Sequence, residues 1–384
     1  AILALLAAFA LYALGSGWRP RGRALLWLAP YLGVTALASL LNAPDRLTAV
    51  RLTGLVALVA LGALLVYWCT DSPARFRAAV RIMIGLAGVE AVLAFAGLVA
   101  AWFNSPLGVQ PGRGEILVPF GTLWEPNVLG SYLAAGAVPA LAALVAAPAR
   151  RRAAGLAALL ALILAALGLS LSRGAWAGFL AGAIVVAVGG WWLGRRTAAR
   201  WPALAPRWPL AVGAGLAAAL FLVAVAPALF PMTTKGLFNR ANVAAYTPQA
   251  DPSLRIRADM ASQALAEVGA HPLIGHGAGS FGVDHFDAQG RPGWISNLEL
   301  HVLYDSGLVG LLALLGGVGV SAWAAWRALR HGDPAARPAI LGVLGAVAVL
   351  LVAYQATEAS WLGYTWVYLG LLARAGTLGP EPAR

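Results

Sequence analysis

The sequence predicts an all-α, polytopic integral membrane protein with about eleven transmembrane helices. Three observations support this fold class. Sixty per cent of the residues are hydrophobic and only 11% are charged, the mean hydropathy is +0.77, and apolar stretches close to bilayer length recur along the chain. A chain of this composition cannot present its whole surface to water, so we expect residues 1–384 to form a single membrane domain.

The predicted spans follow one another with short gaps over most of the chain. The first of them starts at Ala1, without a methionine, and we expect an upstream segment to precede it. No basic region comes before this run, so a signal peptide explains it poorly. The apolar stretches cover residues 1–15, 24–41, 49–69, 78–103, 126–147, 153–171, 174–193, 209–230, 301–325, 337–355 and 358–374.

The basic residues predict the orientation. Every second gap between spans is rich in arginine, and the positive-inside rule assigns these gaps to the cytoplasm. They hold the arginines at 19–23, 75–81, 150–152, 195–207, 327–337 and 374–384. The net charge of +12 therefore concentrates beside anionic lipid headgroups, and membrane lipids rather than nucleic acid are the expected partners.

Two outward segments, 104–125 and 231–300, are much longer than the other outward gaps. The second is too polar for hydrocarbon, and long loops in compact proteins usually carry function. Within it, Pro252-Ser253 followed by apolar residues at helical spacing up to Val268 predicts an amphipathic helix along the membrane surface. The glycine-rich run HPLIGHGAGSF (271–281) then predicts a tight turn that approaches a ligand closely.

Four segments carry a family resemblance. SLSRGAW (170–176), HPLIGHGAGSF (271–281) and SNLELHVLYDSGLVG (296–310) resemble signatures of the O-antigen ligase and O-antigen polymerase superfamily, as does GTLWEPN (121–127). The resemblance implies a GT-C-like glycosyltransferase of the bacterial inner membrane with a large periplasmic loop. It implies an undecaprenyl-diphosphate-linked glycan as donor, no metal and no cofactor, and a chain-length regulator and a flippase as partners.

One position departs from the family pattern. Family ligases carry a histidine, the implied general base, immediately before the asparagine that is Asn297 here, whereas this chain has Ser296. A serine does not take up a proton near neutral pH as an imidazole does. We therefore favour a polymerase of lipid-linked repeat units, with a ligase that transfers glycan to lipid A core or to protein as the alternative.

Outward-facing arginines are the candidates for neutralising the leaving diphosphate, since a guanidinium stays charged and donates two parallel hydrogen bonds. Arg173 lies in a gap so short that it is nearly within the membrane, where an ionisable residue is a functional hypothesis; the alternative is a side chain that snorkels to the interface. Arg255 and Arg257 cannot share a helix face. The spacing to the His271-Pro272 turn favours Arg257 as the residue that faces the site. The alternative for both arginines is contact with lipid headgroups.

The candidate general base is His301. Asn297, His301 and Asp305 follow one another at intervals of four and so lie along one side of a helix. A carboxylate one turn away orients an imidazole and raises its basicity, as a general base requires. We expect Asn297 and Asp305 to contact substrate. The alternative is that these residues are the polar lip of a membrane helix, with His301 bonded to a backbone carbonyl.

Glu299 and Glu125 are the other candidate bases, and with Asn127 they complete the predicted substrate-binding set. Glu125 has a second interpretation, because a negative charge is also favoured at the start of a helix beside Pro126.

Metal binding is not expected. His271, His276 and His285 have spacings of five and nine, which match no common zinc pattern, and no cysteine accompanies them. Two other classes of protein remain open. A secondary transporter is suggested by Glu90 inside the fourth span, and a non-catalytic lipid-binding scaffold is the third hypothesis.

Overall fold

The computed structural model describes residues 24–105, 107–111, 116–196, 208–235, 252–286, 290–358 and 360–378. These residues are mostly helical, in agreement with the predicted class. The helices are α1 (Leu28–Leu41), α2 (Arg46–Cys69), α3 (Pro73–Trp102), α4 (Pro126–Val145), α5 (Arg150–Leu169), α6 (Arg173–Arg196), α7 (Trp208–Leu220), α8 (Ala226–Leu229), α9 (Pro252–Glu267), α10 (Phe281–Asp284), α11 (Leu298–His331), α12 (Arg337–Ala353) and α13 (Gly363–Ala375).

A short antiparallel hairpin interrupts the helical pattern inside the predicted 104–125 segment. Its strands are β1 (Val109–Pro111) and β2 (Leu117–Pro119), with Val109 opposite Pro119. A π-helical turn, Phe221–Val225, joins α7 to α8.

Seven stretches of the described chain are long and apolar enough to cross a membrane, judged by length and composition. This confirms a multi-pass helical membrane protein. The shorter apolar helices α1 and α12 fall below the length criterion, and the predicted span 1–15 lies outside the described residues, so the count of eleven stays a prediction. The seven are α2, α3, α4, α5, the part of α6 up to Leu193, the stretch Pro209–Leu229 and α11.

Several helices begin where the local sequence favours a start. Pro73 and Pro126 are the first residues of α3 and α4, positions at which the missing amide of proline costs no intrahelical hydrogen bond. The carboxylate of Asp45 caps α2 by accepting a hydrogen bond from the amide of Thr48 at 3.1 Å.

The chain divides into two compact units. Unit 1 comprises Ala1–Phe76, Pro252–Ala328 and Glu358–Arg384, and unit 2 comprises Arg77–Asp251 and Leu329–Thr357.

In unit 1, α13 packs against α2, and α2 packs against α1. The contact between α13 and α2 is close because Gly370 faces the main chain of Ala63. At the C-terminal ends of the two helices, Arg374 lies over the ring of Tyr67 and its Nε donates to the carbonyl of Thr70 at 2.8 Å. Both ends belong to gaps that the sequence assigns to the same side of the membrane.

The helix expected in the 231–300 segment is α9. Its residues Met260 and Ala264 are buried against side chains of unit 1 that include Phe281 and Tyr304. The apolar face therefore packs against protein, and the position of the helix along the membrane surface stays a prediction. Leu265, one of the apolar residues between Ser253 and Val268, is 63% exposed because it is one residue, or about 100° of helix, beyond Ala264.

In unit 2, α4 is almost completely buried and packs against α5, α6 and α12. Small residues allow these backbones to approach closely, as in other membrane helix pairs. A Cβ on Gly182 of α6 would lie 2.7 Å from the carbonyl oxygen of Gly345 in α12.

Glu90, the residue behind the transporter hypothesis, lies in α3 of unit 2. Its carboxylate accepts hydrogen bonds from the hydroxyl of Thr122 and from the Thr122 amide, the latter at 3.2 Å. Glu90 thus holds the turn that follows β2.

Candidate active site

Helix α11 is broken at Gly307, where φ is +62° and ψ is −170°. On the N-terminal side of the break, the carbonyl of Tyr304 accepts a hydrogen bond from the amide of His276 at 2.8 Å. The carbonyl of Asp305 accepts one from the amide of Gly277 at 2.9 Å. The glycine-rich segment 271–281 thus supplies donors that a continuous helix would supply itself.

The C-terminal side of the break uses the same segment. The amides of Leu308 and Val309 donate to the carbonyls of Pro272 and Leu273, at 2.9 and 3.1 Å. Two sequence regions that resemble family signatures are therefore joined through their main chains. The four hydrogen bonds stabilise both the break in α11 and the conformation of segment 271–281.

Glycine is required at two positions of this junction. The positive φ of Gly307 is strained for other residues, and a Cβ there would collide with the carbonyl group of Leu273. Gly275 has φ of +79°, and its Cβ would lie 2.5 Å from the carbonyl carbon of Asp305. The close backbone approach predicted for this turn is thus made to α11.

Polar groups in α1 and at the residue that follows it fix the other side of segment 271–281. The hydroxyl of Ser39 accepts from the amide of Ala278 at 3.0 Å, and the amide side chain of Asn42 donates to the carbonyl of Gly275 at 2.7 Å. The segment is therefore held between α1 and α11.

This junction positions a buried acid–base cluster, His301–Asp305–Glu358. Nε2 of His301 lies 3.2 Å from Oδ2 of Asp305, one turn further along α11. The same oxygen accepts a hydrogen bond from the amide of Gly279 at 3.2 Å. Nδ1 of His301 lies 3.6 Å from Oε2 of Glu358, beyond hydrogen-bond distance. The imidazole is thus placed between two carboxylates.

Three atoms of the cluster are buried without a hydrogen-bond partner among the described residues: His301 Nδ1, Asp305 Oδ1 and Glu358 Oε2. The side chain of Glu358 is 1% exposed, and those of His301 and Asp305 are 13% exposed. Leaving a buried polar atom unpaired costs about 1–3 kcal/mol. Three such atoms in one cluster require an explanation, and a catalytic role or a bound polar ligand would supply one.

Aromatic residues and a turn support the cluster. The ring of Trp294 meets that of His301 edge to face, with 4.8 Å between centroids. The amide of Ser360 donates to Oε1 of Glu358, and Nε1 of Trp366 donates to the carbonyl of Ser360 at 2.6 Å. The fully buried Trp366 thereby fixes the turn that carries Glu358.

Glu358 is the residue of this cluster that we did not predict from the sequence. It lies at the edge of a two-residue gap between the predicted spans 337–355 and 358–374. A carboxylate beside so short a gap is expected to lie at or within the membrane, which is a signal for function.

A second polar network adjoins the first through Tyr304. Its hydroxyl donates to Glu267 at 2.8 Å, and Nε2 of His285 lies 2.9 Å from the other oxygen of that carboxylate. The ring of His276 stacks on that of Tyr304 at 4.3 Å. Burial lowers the pKa of His276, although the carbonyl of Tyr304 opposes this shift.

Asn297 and Glu299 lie at the start of α11. Oδ1 of Asn297 accepts from the amide of Leu300 at 2.9 Å, and its carbonyl accepts from the amide of His301. Asn297 thus caps the helix that carries His301. Glu299, in the first turn, is partly buried.

The predicted arginines fall in both units. Arg255 and Arg257 belong to α9 of unit 1, where Arg255 is exposed and Arg257 partly buried, so they differ in facing as their spacing predicts. Arg173, the first residue of α6, belongs to unit 2. It follows a tight turn in which Leu171 has φ of +56°. The convergence of Arg173 and Arg257 on one diphosphate stays a prediction.

Glu125 and Asn127 also belong to unit 2, at the start of α4, where Nδ2 of Asn127 donates to Oε1 of Glu125 at 2.7 Å. The two side chains therefore bind each other at the start of α4. In the part of the chain that the structure describes, no group of three or more His, Cys, Asp or Glu side chains is arranged to hold a metal ion.

The fold and this site define a multi-pass helical membrane protein with a buried imidazole–carboxylate cluster at a helix break. Residues 158–315 match a family model described as O-Antigen ligase. The match confirms the resemblance to the O-antigen ligase and polymerase superfamily and contains three of the four segments that predicted it. No curated protein matches the chain.

Proposed function

We propose that the protein is a glycosyltransferase that polymerises lipid-linked oligosaccharide repeat units. The donor is an undecaprenyl-diphosphate-linked glycan, and the site faces the periplasm from the bacterial inner membrane. The family match supports a transferase of the O-antigen ligase and polymerase type. The contact between His301 and Asp305 inside the matched region carries the proposal, because attack by an acceptor hydroxyl needs a positioned base.

The reaction assigned to this site is a displacement at a sugar carbon. The acceptor hydroxyl oxygen forms a bond to the anomeric carbon of the donor, the bond from that carbon to the phosphate oxygen breaks, and the diphosphate leaves with the electron pair. His301 takes the hydroxyl proton, and Asp305 orients the imidazole and stabilises its charged form. The proton then passes to solvent or to the departing phosphate.

Fixed cations neutralise the charge that grows on the diphosphate. We assign this part to Arg173, Arg257 and Arg255. Binding of the sugars is assigned to Asn297, Asp305, Glu299, Glu125 and Asn127, with no metal and no cofactor. A GT-C-like architecture, a flippase that supplies the donor and a chain-length regulator complete the proposal.

Polymerase is preferred to ligase because Ser296 stands where ligases of the family carry their histidine. His301 lies five residues later, in the first turn of α11, and is a titratable ring that the fold holds beside a carboxylate of the same helix. The alternative, transfer to lipid A core or to protein, uses the same donor and the same departure of diphosphate.

The test is glycan synthesis by the purified protein in lipid vesicles with a lipid-diphosphate-linked repeat unit. Wild-type protein should give a ladder of longer glycans, and His301→Gln and Asp305→Asn should lower the rate by about 10²- to 10⁴-fold. His285→Gln, a matched control in which another carboxylate-paired imidazole is lost, should stay within about 3-fold of wild type. Wild-type rates from both cluster variants would contradict the proposal.

A second acceptor separates the two transferases. Lipid A core added to the same vesicles should remain unmodified if the protein is a polymerase, and should gain glycan if it is a ligase. Ion-coupled uptake by vesicles that is lost in Glu90→Gln would favour the transporter hypothesis. The hydrogen bonds of Glu90 to Thr122 support a structural role for that carboxylate instead.

A further inference from the structure

A basic cavity of about 440 Å³ lies in unit 2, where α3, α4 and α5 meet the start of α12. Arginine side chains from three separate segments line it: Arg77 and Arg81 from α3, Arg152 from α5 and Arg337 from α12. The rest of the wall is mostly apolar, formed by Val80, Ile84, Pro139, Ala143, Ala146, Ala147, Pro148, Pro334, Ala335, Pro338 and Ala339.

The three segments are among the six that the positive-inside rule assigns to the cytoplasm. Their meeting at one cavity agrees with the alternation read from the sequence. The proposed glycosyl transfer takes place at helix ends assigned to the other side, so this cavity is not part of that site.

Arg337 places a buried positive charge in the wall of the cavity. The residue is only 8% exposed, and its Nε is buried without a hydrogen-bond partner in the described part of the chain. A guanidinium so buried is costly unless an anion compensates it. Arg81 and Arg152 line the cavity and are exposed, so they are accessible to a ligand.

The cavity keeps a positive charge after its internal partners are counted. Asp333 lies 2.9 Å from Arg77 and neutralises one arginine. The starts of α12 and α5 each contribute roughly half a positive charge and the end of α4 roughly half a negative charge, so the helix ends do not cancel the charge of the arginines. Three guanidinium groups remain for a ligand.

We propose that this cavity binds the phosphate headgroup of an anionic phospholipid of the cytoplasmic leaflet. Arginines bind phosphate oxygens through parallel charge-assisted hydrogen bonds, and basic pockets between membrane helices at this level suit lipid headgroups. The mostly apolar remainder of the wall favours a lipid over a free phosphate ion, because Val80, Ile84 and Pro139 can contact the glycerol and the first methylene groups of an acyl chain.

The experiment measures lipid binding to the purified full chain in detergent by native mass spectrometry. Phosphatidylglycerol, phosphatidylcholine and inorganic phosphate are titrated separately, and phosphate is also used as a competitor. Phosphatidylglycerol should bind at least 10-fold more tightly than phosphatidylcholine. Millimolar phosphate should leave it bound. If phosphate at the concentration of the lipid displaced phosphatidylglycerol, the proposal of a lipid ligand would be overturned, and the cavity would be a site for a free anion.

Two variants test whether the cavity itself binds. The double variant Arg81→Gln/Arg152→Gln, at exposed positions, should weaken phosphatidylglycerol binding at least 10-fold. The control Arg150→Gln/Arg151→Gln removes the same charge from exposed positions beside Arg152 and should change binding less than 2-fold. Equal losses in both double variants, or none in either, would overturn the proposal.

Discussion

A methyl group on Gly275 would lie 2.5 Å from the carbonyl carbon of Asp305, so these two residues touch through their main chains. Gly275 belongs to the glycine-rich segment 271–281, and Asp305 holds the imidazole of His301. The position of the acid–base cluster therefore depends on a turn some thirty residues earlier in the chain.

Gly275→Ala should destabilise the protein and lower transfer. Its positive φ costs a residue with a side chain about 1–2 kcal/mol, and the clash with Asp305 adds to this, for a total of about 3 kcal/mol or more. Thermal unfolding in detergent and the vesicle assay measure the two effects.

Gly290→Ala is the matched control. Gly290 has φ of +72° but nothing within 4 Å of the position of its Cβ, so it carries the strain of φ without the clash. Gly290→Ala should lower the free energy of unfolding only by the cost of the positive φ, and it should keep the wild-type transferase rate. Equal losses in the two variants would show that contact with Asp305 has no influence.

Glu358→Gln should lower the transfer rate with little effect on folding. Glutamine has nearly the same volume and can still accept the hydrogen bond from Ser360, but it lacks the negative charge near Nδ1 of His301. We expect kcat to fall at least 10-fold with KM within 2-fold, since the loss concerns proton transfer rather than binding. A change in KM alone would assign Glu358 to substrate binding.

Spacing within one helix could be predicted from the sequence, and contacts between distant segments could not. The interval of four residues between His301 and Asp305 predicts their contact, because residues four apart in a helix are neighbours. Glu358 reaches the same ring only through the tertiary packing of α13, which composition does not encode.

The break at Gly307 was also beyond the sequence. A glycine inside an apolar helix pattern is common in membranes, so the pattern of α11 predicts a continuous span. Carbonyl and amide partners from segment 271–281 make the break stable. The basic gaps, unlike the helix break, could be interpreted from the sequence, because the charge pattern predicts on which side of the membrane each helix end lies. In the structure, Arg77, Arg152 and Arg337 from three of these gaps line one cavity.

Stability should fall as the pH drops below about 6.5, the ordinary pKa of histidine, partly because of His276. Burial lowers the pKa of this ring in the folded protein, so in this range the unfolded chain binds a proton that the folded protein does not. Its contribution is complete above pH 6.5 and is lost progressively as the pH falls towards the lowered value.

His276→Asn should therefore flatten the dependence of the unfolding temperature on pH between about 5 and 7. His331→Asn, at an exposed histidine at the end of α11, is the control and should leave the slope unchanged. An unchanged slope in His276→Asn would show that another group governs this range.

Asp333→Asn should strengthen binding of phosphatidylglycerol to the basic cavity. The carboxylate of Asp333 lies 2.9 Å from Arg77, with side chains that are 12% and 31% exposed, and it competes with a ligand for that guanidinium. Its removal leaves a fourth arginine for the headgroup, and we expect a 3- to 10-fold gain in affinity measured by native mass spectrometry. Loss of the pair should also cost about 1 kcal/mol of stability.

Asp71→Asn is the control. It removes the same charge from a pair with the same 2.9 Å separation, but its partner Arg75 is exposed and does not line the cavity. The control should leave lipid affinity within 2-fold of wild type, because only a carboxylate beside the cavity competes with the lipid. Equal gains in both variants would mean that the total charge of the protein, rather than the cavity, attracts the lipid.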